Sequence, residues 1–295
     1  MRLLLNLLLL LAVVGAVLLW LSRPQPLPAS AFDGLSGDAA RGELVFWAAG
    51  CASCHSADGA RGDDRLLLAG GRRFDSDFGT FVAPNISSDA EHGIGGWTLA
   101  QFANAMLRGV SPDGQHYYPS FPYTAYTRME PADVADLKAY LDTLPASARA
   151  NEPHELAFPY TLRRGIGFWK RRYLVDDWVV TGELSEQELR GRYLSEALAH
   201  CGECHTPRDA LGGLDFSRWL AGAPNPSGSG SIPDITPSGL SWSEREIAGY
   251  LASGFTPSFD SVGGSMAAVV DALGRLPAED LAAIAAYLKR VAPAQ

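Results

Sequence analysis

The sequence predicts an all-α protein in which two tandem helical domains with long loops follow an N-terminal transmembrane helix. Three observations carry this reading. The string Cys-x-x-Cys-His occurs twice, as Cys51-Ala52-Ser53-Cys54-His55 and as Cys201-Gly202-Glu203-Cys204-His205. The stretches after the two strings repeat, with Trp97 and Trp242 standing 145 residues apart and Gly109 and Gly254 the same distance apart. Apolar residues recur at helical spacing at Val134, Leu137, Tyr140 and Leu141, and again at Leu281, Ile284, Tyr287 and Leu288, while no alternating apolar run is long enough for a sheet.

Leu3 to Leu21 gives 19 positions interrupted only by Asn6 and Gly15. At about 1.5 Å per residue this crosses most of a roughly 30 Å hydrocarbon core, and Trp20 stands where an interfacial aromatic belongs. A cleaved signal peptide competes, because Ala29-Ser30-Ala31 resembles an A-x-A site. The apolar run is longer than a signal's core, and that site lies well beyond it, behind Pro24, Pro26 and Pro28, so a retained anchor is expected. The proline-rich stretch from Arg23 to Ala31 reads as an extended spacer lifting the next domain off the membrane.

The first domain opens with a helix capped by Asp38, with Leu44, Val45 and Trp47 as its apolar positions. Glu188 to Leu194 plays the same part in the second, and Arg-Gly recurs ahead of each cysteine string. The repeat continues through Asn85-Ile86-Ser87 and Asp234-Ile235-Thr236, then through Trp97-Thr98 and Trp242-Ser243, where a helix begins. The expected division is 1–24 for the anchor or an uncleaved signal, 25–35 for a linker, 36–145 for domain one, 146–180 for an interdomain strap and 181–295 for domain two. In the strap, Arg163, Arg164, Lys170, Arg171 and Arg172 surround Ile166, Phe168, Trp169 and Tyr173. It reads as a segment packed on both domains with its arginines paired to carboxylates or propionates; the other reading lays it on a lipid surface or a partner.

Cys-x-x-Cys-His is the spacing of c-type haem attachment. One helical turn lets two thiols reach the two vinyl groups, and the next residue offers an imidazole nitrogen to the iron. A structural zinc site would bring two such pairs within about 15–20 residues of each other, and a redox pair needs no histidine behind it. Two covalently bound haem c groups are therefore expected, on Cys51, Cys54 and His55 and on Cys201, Cys204 and His205. Such haems are attached after export, so the bulk of the chain is expected in the periplasm, held by a single span in the bacterial inner membrane. A net charge of −9 gives nucleic acid no electrostatic footing.

A haem used for electron transfer is held on both faces, often by methionine opposite the histidine. In small cytochromes c that methionine comes from the loop ahead of the last helix. Met266, in Gly263-Gly264-Ser265-Met266, fits that position in domain two. In domain one the matching position is Phe121, which cannot ligate iron, and the candidates are Met129, His116 or an open site. Met106 lies at a core-like spacing inside a helix, His200 reads as local structure, and Trp97 and Trp242 read as core at the haem edges.

The chain resembles the membrane-bound multihaem cytochrome c subunits that serve periplasmic alcohol, gluconate and related dehydrogenases, and their two-haem relatives. The likeness covers both domains. It rests on Phe78-Gly79-Thr80-Phe81-Val82-Ala83-Pro84-Asn85-Ile86-Ser87, Gly95-Gly96-Trp97-Thr98, Tyr117-Tyr118-Pro119-Ser120-Phe121-Pro122-Tyr123-Thr124 and Cys204-His205-Thr206-Pro207-Arg208. Those subunits commonly carry three haems, and often show methionine where this chain has Phe121. The resemblance implies two class I cytochrome c domains that pass electrons from a periplasmic dehydrogenase to an oxidase, a quinone or a soluble cytochrome; a carrier without catalysis of its own is expected because the sequence shows no Gly-rich nucleotide fingerprint, nucleophile elbow or clustered metal motif. A dihaem peroxidase or thiosulfate-type oxidoreductase is the competing function; it needs an open first haem with His116 or Glu130 as the acid–base group.

Overall fold

The computed structural model describes residues 1–225 and 230–292. Its first element is a 20-residue helix, Arg2–Leu21, none of whose side chains is buried. The proline stretch after it does not stand free as a spacer. Leu27 is clamped by Asn104, whose Oδ1 accepts from the Leu27 amide at 2.7 Å and whose Nδ2 donates to the Leu27 carbonyl at 3.2 Å. Phe32 is buried in the core. Proline lacks the donor to pair with other backbone, so a side-chain amide takes the strand-like role of holding the segment down.

Each domain is built on a crossing of its first and last helices. In domain one Ala39–Ala48 packs on Pro131–Leu141; in domain two Glu186–Arg192, continuing as a π-helical turn through Tyr193–Leu198, packs on Ala278–Arg290. Both crossings turn on a glycine that lets backbones touch. A Cβ on Gly42 would stand 2.0 Å from the Asp136 carbonyl oxygen and 2.8 Å from the Tyr140 Cβ; one on Gly191 would stand 1.9 Å from the Ala283 oxygen and 2.7 Å from the Tyr287 Cβ. The arginine before each glycine locks the crossing with a forked ion pair. Arg41 Nε reaches Asp136 at 2.7 Å and Arg190 Nε reaches Asp280 at 2.7 Å, each with a second N–H on the other carboxylate oxygen. Asp38 caps the first helix by accepting from the amides of Ala40 and Arg41.

The middle helices also repeat. Leu99–Arg108 starts from a capping box of Thr98 and Gln101, Glu244–Ser253 from one of Ser243 and Glu246. Both end on a left-handed glycine, Gly109 at φ 58° and Gly254 at φ 76°.

Helices dominate as expected, but short strands are added. Arg73–Ser76 pairs antiparallel with Gly79–Val82, which also pairs with Glu155–Leu156; Ala223–Pro224 pairs with Ser231–Ile232. Segments of two to four residues are too short to leave a period in the sequence. The strap holds a helix, Gly165–Tyr173, which touches both halves: Lys170 Nζ donates to the carbonyls of Arg108 and Gly109, and Trp169 Nε1 to that of Leu211. Three of the four arginines between 163 and 172 bind backbone oxygens: Arg163 donates to His116, Arg164 to Leu19 and Arg171 to Leu21.

The glycine crossing makes a direct prediction. Gly191→Ala forces backbone apart and is expected to cost about 1–3 kcal/mol, whereas Gly249→Ala, mid-helix with open space around it, is expected to be neutral or stabilising by up to about 1 kcal/mol. Thermal melts of the two variants check the contrast; equal effects would refute it.

Candidate haem sites

Each Cys-x-x-Cys-His string forms a helical turn, Cys51–His55 in domain one and Gly202–His205 in domain two. No disulfide joins the four cysteines. Burial pushes the Cys51 and Cys201 thiols up to about 12. Redox-active pairs have lowered pKa values instead.

The two histidines are aimed by one repeated device. His55 Nδ1 lies 2.8 Å from the Pro84 carbonyl oxygen, and His205 Nδ1 lies 2.8 Å from that of Pro233. A carbonyl only accepts, so Nδ1 carries the proton and Nε2 keeps its lone pair. Burial lowers both pKa values, which favours the neutral ring a metal requires. Such an outer partner fixes ring orientation and raises ligand basicity.

What places the two carbonyls is the motif behind each proline. Asn85 Oδ1 accepts from the Ser87 amide at 2.9 Å, and Asp234 Oδ1 from the Thr236 amide at 2.7 Å. The next residues are tied back, Ile86 N to Leu68 O and Ile235 N to Leu220 O, each at 3.0 Å. Asn85 is anchored further by donating to the carbonyls of Ser147 and Arg149. The donor sets therefore fit two haem groups: a pair of thiols and a neutral imidazole in the right tautomer, twice over.

The distal candidates differ between the halves. Met129 is 4% exposed and lies in the core just before the helix Pro131–Leu141. Met266, expected in a loop, instead opens a helix, Met266–Leu273, with Ser265 as its cap residue. Phe121 fills the matching place in domain one, inside an aromatic group with Tyr117, Tyr123 and Tyr126. His116 is engaged elsewhere, its Nε2 at 2.9 Å from the Ser22 carbonyl oxygen beneath the N-terminal helix. Met106 is a core residue at 5% exposure.

The structure brings the two strings together in a way the sequence does not announce. His200, expected to be local structure, crosses to domain one, with Nε2 at 3.3 Å from the Ala49 carbonyl oxygen. Tyr126 donates to that same oxygen at 3.0 Å and meets His200 edge to face, with centroids 5.7 Å apart. Glu203, inside the second string, accepts from Thr124 of domain one at 2.7 Å and from Arg208 at 2.5 Å.

Beside this seam Glu196, 1% exposed, accepts from the amides of Val179 and Val180 and from Tyr287 Oη at 2.7 Å; Tyr287 in turn accepts from Trp219 Nε1 at 2.9 Å. A buried carboxylate survives only when so fully bonded. Its sequence signal was slight: an acid inside an apolar stretch that ends in a cysteine string.

The family model for cytochrome c matches residues 39–145 and 189–292, and the chain belongs to the cytochrome c family. It carries two covalently bound haem c groups. A protein of Cereibacter sphaeroides described as diheme cytochrome c-type is 60% identical over 279 residues, covering 95% of this chain and 94% of that protein. The fructose dehydrogenase cytochrome subunit of Gluconobacter japonicus is 38% identical across 90% of this chain, and the cytochrome c subunit of the quinone alcohol dehydrogenase of Gluconobacter oxydans 32% across 84%. The chain spans 54% of the length of each of those two dehydrogenase subunits.

The bond across the seam is testable by a double-mutant cycle. Thr124→Val and Glu203→Ala are expected to show a coupling of about 1–2 kcal/mol in denaturant unfolding; strictly additive effects would remove Thr124–Glu203 as a tie between the domains.

Proposed function

We propose that Cys51, Cys54 and His55 hold one haem, that Cys201, Cys204 and His205 hold the other, and that Met129 and Met266 supply the sixth ligands. The chain then passes single electrons from a periplasmic dehydrogenase towards the respiratory chain, with a terminal oxidase, a quinone or a soluble cytochrome as acceptor. The observation that carries this is the duplicated histidine–carbonyl pair, because it leaves Nε2 of both imidazoles ready for iron. Each haem, when bound, supplies a one-electron iron couple. The chain holds those couples in place through the covalent strings and brings the strings close through His200, Tyr126 and the Thr124–Glu203 bond. The apolar helix Arg2–Leu21, long enough to cross a bilayer, supports a single span in the inner membrane with both domains in the periplasm. The dehydrogenase subunits among the relatives support a dehydrogenase as donor.

The carrier reading is favoured over a dihaem peroxidase by the distal residues. Met129 is buried in the core; of the two acid–base candidates for a peroxidase, His116 is bonded to Ser22 and Glu130 is exposed.

Haem counts by alkaline pyridine spectra test the attachment. Cys51→Ser with Cys54→Ser is expected to leave one haem per chain, and retention of two would refute the assignment. The oxidised protein is expected to show two low-spin haems in its paramagnetic spectrum, with Met129→Ala and Met266→Ala each converting one to high spin. A native high-spin haem that binds cyanide rapidly would sink the carrier reading.

The proximal device has its own test. Asn85→Ala frees the turn that holds the Pro84 carbonyl. It is expected to weaken the bond to His55 and raise the midpoint potential of haem one, as lower ligand basicity requires, while haem two is unmoved; a redox titration resolves the pair.

A further inference from the structure

The apolar N-terminal helix does not end in open space. Its last turn is fastened to the interdomain helix Gly165–Tyr173. Arg164 donates to the Leu19 carbonyl, and Arg171 Nε donates to that of Leu21 at 2.7 Å. Gly167 lets the chain come close, since a Cβ there would stand 2.3 Å from the Ser22 oxygen. The guanidinium groups of Arg23 and Arg171 lie 5.1 and 5.8 Å from the Trp20 ring centroid. The interdomain helix is thus fixed at the level of Trp20, where a helix of this length leaves the hydrocarbon.

At that level the surface changes character. Phe158 is 79% exposed, Leu162 59% and Phe168 41%. Arg164, Arg171 and Arg172 are exposed beside them. Between Phe158 and Val175 there are five basic residues and no acidic one, in a chain whose net charge is −9. A guanidinium carries five N–H donors; Arg164 and Arg171 use one each on the helix carbonyls, and Arg172 lies against Tyr173 at 5.3 Å. Donors remain for phosphate, which arginine binds in a forked geometry. Exposed apolar side chains flanked by arginines are the pattern of a segment lying in the headgroup region.

We infer that the segment 158–172 is a second membrane contact, its apolar side chains entering the interface and its arginines holding the phosphates of anionic lipid. It rests on the reading of Arg2–Leu21 as a membrane span. Together the two contacts make a rigid foot: the haem domains sit against the bilayer at a set tilt instead of swinging on a tether, which fixes the surface they offer to partners.

Hydrogen exchange on the full haem-loaded chain in lipid nanodiscs tests this, comparing phosphatidylcholine alone with phosphatidylcholine containing phosphatidylglycerol. Peptides covering 158–172 are expected to exchange at least about five-fold more slowly with the anionic lipid, the factor that one basic residue near such a surface is worth. Phe158→Ser with Arg172→Gln leaves the bonds to the N-terminal helix intact and is expected to shrink that difference several-fold, with residues 3–21 still protected. Equal exchange of 158–172 in both lipids, with 3–21 protected, overturns the inference while leaving the span in place. Protection of 158–172 only on adding a partner protein overturns it too. Free exchange of 3–21 in the nanodiscs removes the span itself, and the inference with it.

Discussion

Two backbones in contact at a glycine set the frame of each domain. At Gly42 and again at Gly191 the first helix lies against the carbonyl side of the last one, nearer than any side chain would permit. The cysteine string follows directly from the first helix, and the distal segment leads into the last. Fixing that crossing therefore fixes both faces of the site. The forked pairs Arg41–Asp136 and Arg190–Asp280 are partly buried and hold the crossing against sliding, but the close approach comes first: with alanine at the glycine neither pair would keep its geometry.

From this frame the proximal chemistry follows with little further machinery. A turn of helix presents the histidine, and a proline carbonyl accepts a hydrogen bond from its Nδ1–H. An Asn or Asp turn behind the proline keeps that carbonyl in place. Asn85 and Asp234 do the same work with different side chains because the requirement is a single acceptor for the amide two residues on. The extra amide donors of Asn85 serve a local need, tying down the segment 147–149 that leads into the strap.

The domains are alike within and joined by contacts that are not alike. Tyr193 donates to Asp133 at 2.5 Å, and Arg275 lies 4.0 Å from the Trp47 ring centroid. Arg65 pairs with Asp271. None of these has a counterpart under the repeat, because two copies of one fold meet through different faces. Asp133 shows the consequence: it occupies the helical position that Asp280 holds in domain two, but there Asp280 binds Arg190, while Asp133 is turned outward to the neighbouring domain.

The sequence by itself determined what depends on local spacing. The two cysteine strings, the helix starts at Thr98 and Ser243, the Asp38 cap and the apolar N-terminal run are all read within a few residues, since the interactions that define them span one or two helical turns. The repeat made the fold class legible, because the same local signals occur twice in the same order. Only the tertiary structure decided what depends on residues far apart. It took His200 from its own loop to Ala49, opened a helix at Met266, turned Arg164 and Arg171 onto helix carbonyls and laid the proline segment on Asn104. It also buried Glu196 among amides from a segment 16 residues away. Such pairings join partners from 16 to 151 residues apart, and no periodicity in a sequence encodes which distant surface a side chain will meet.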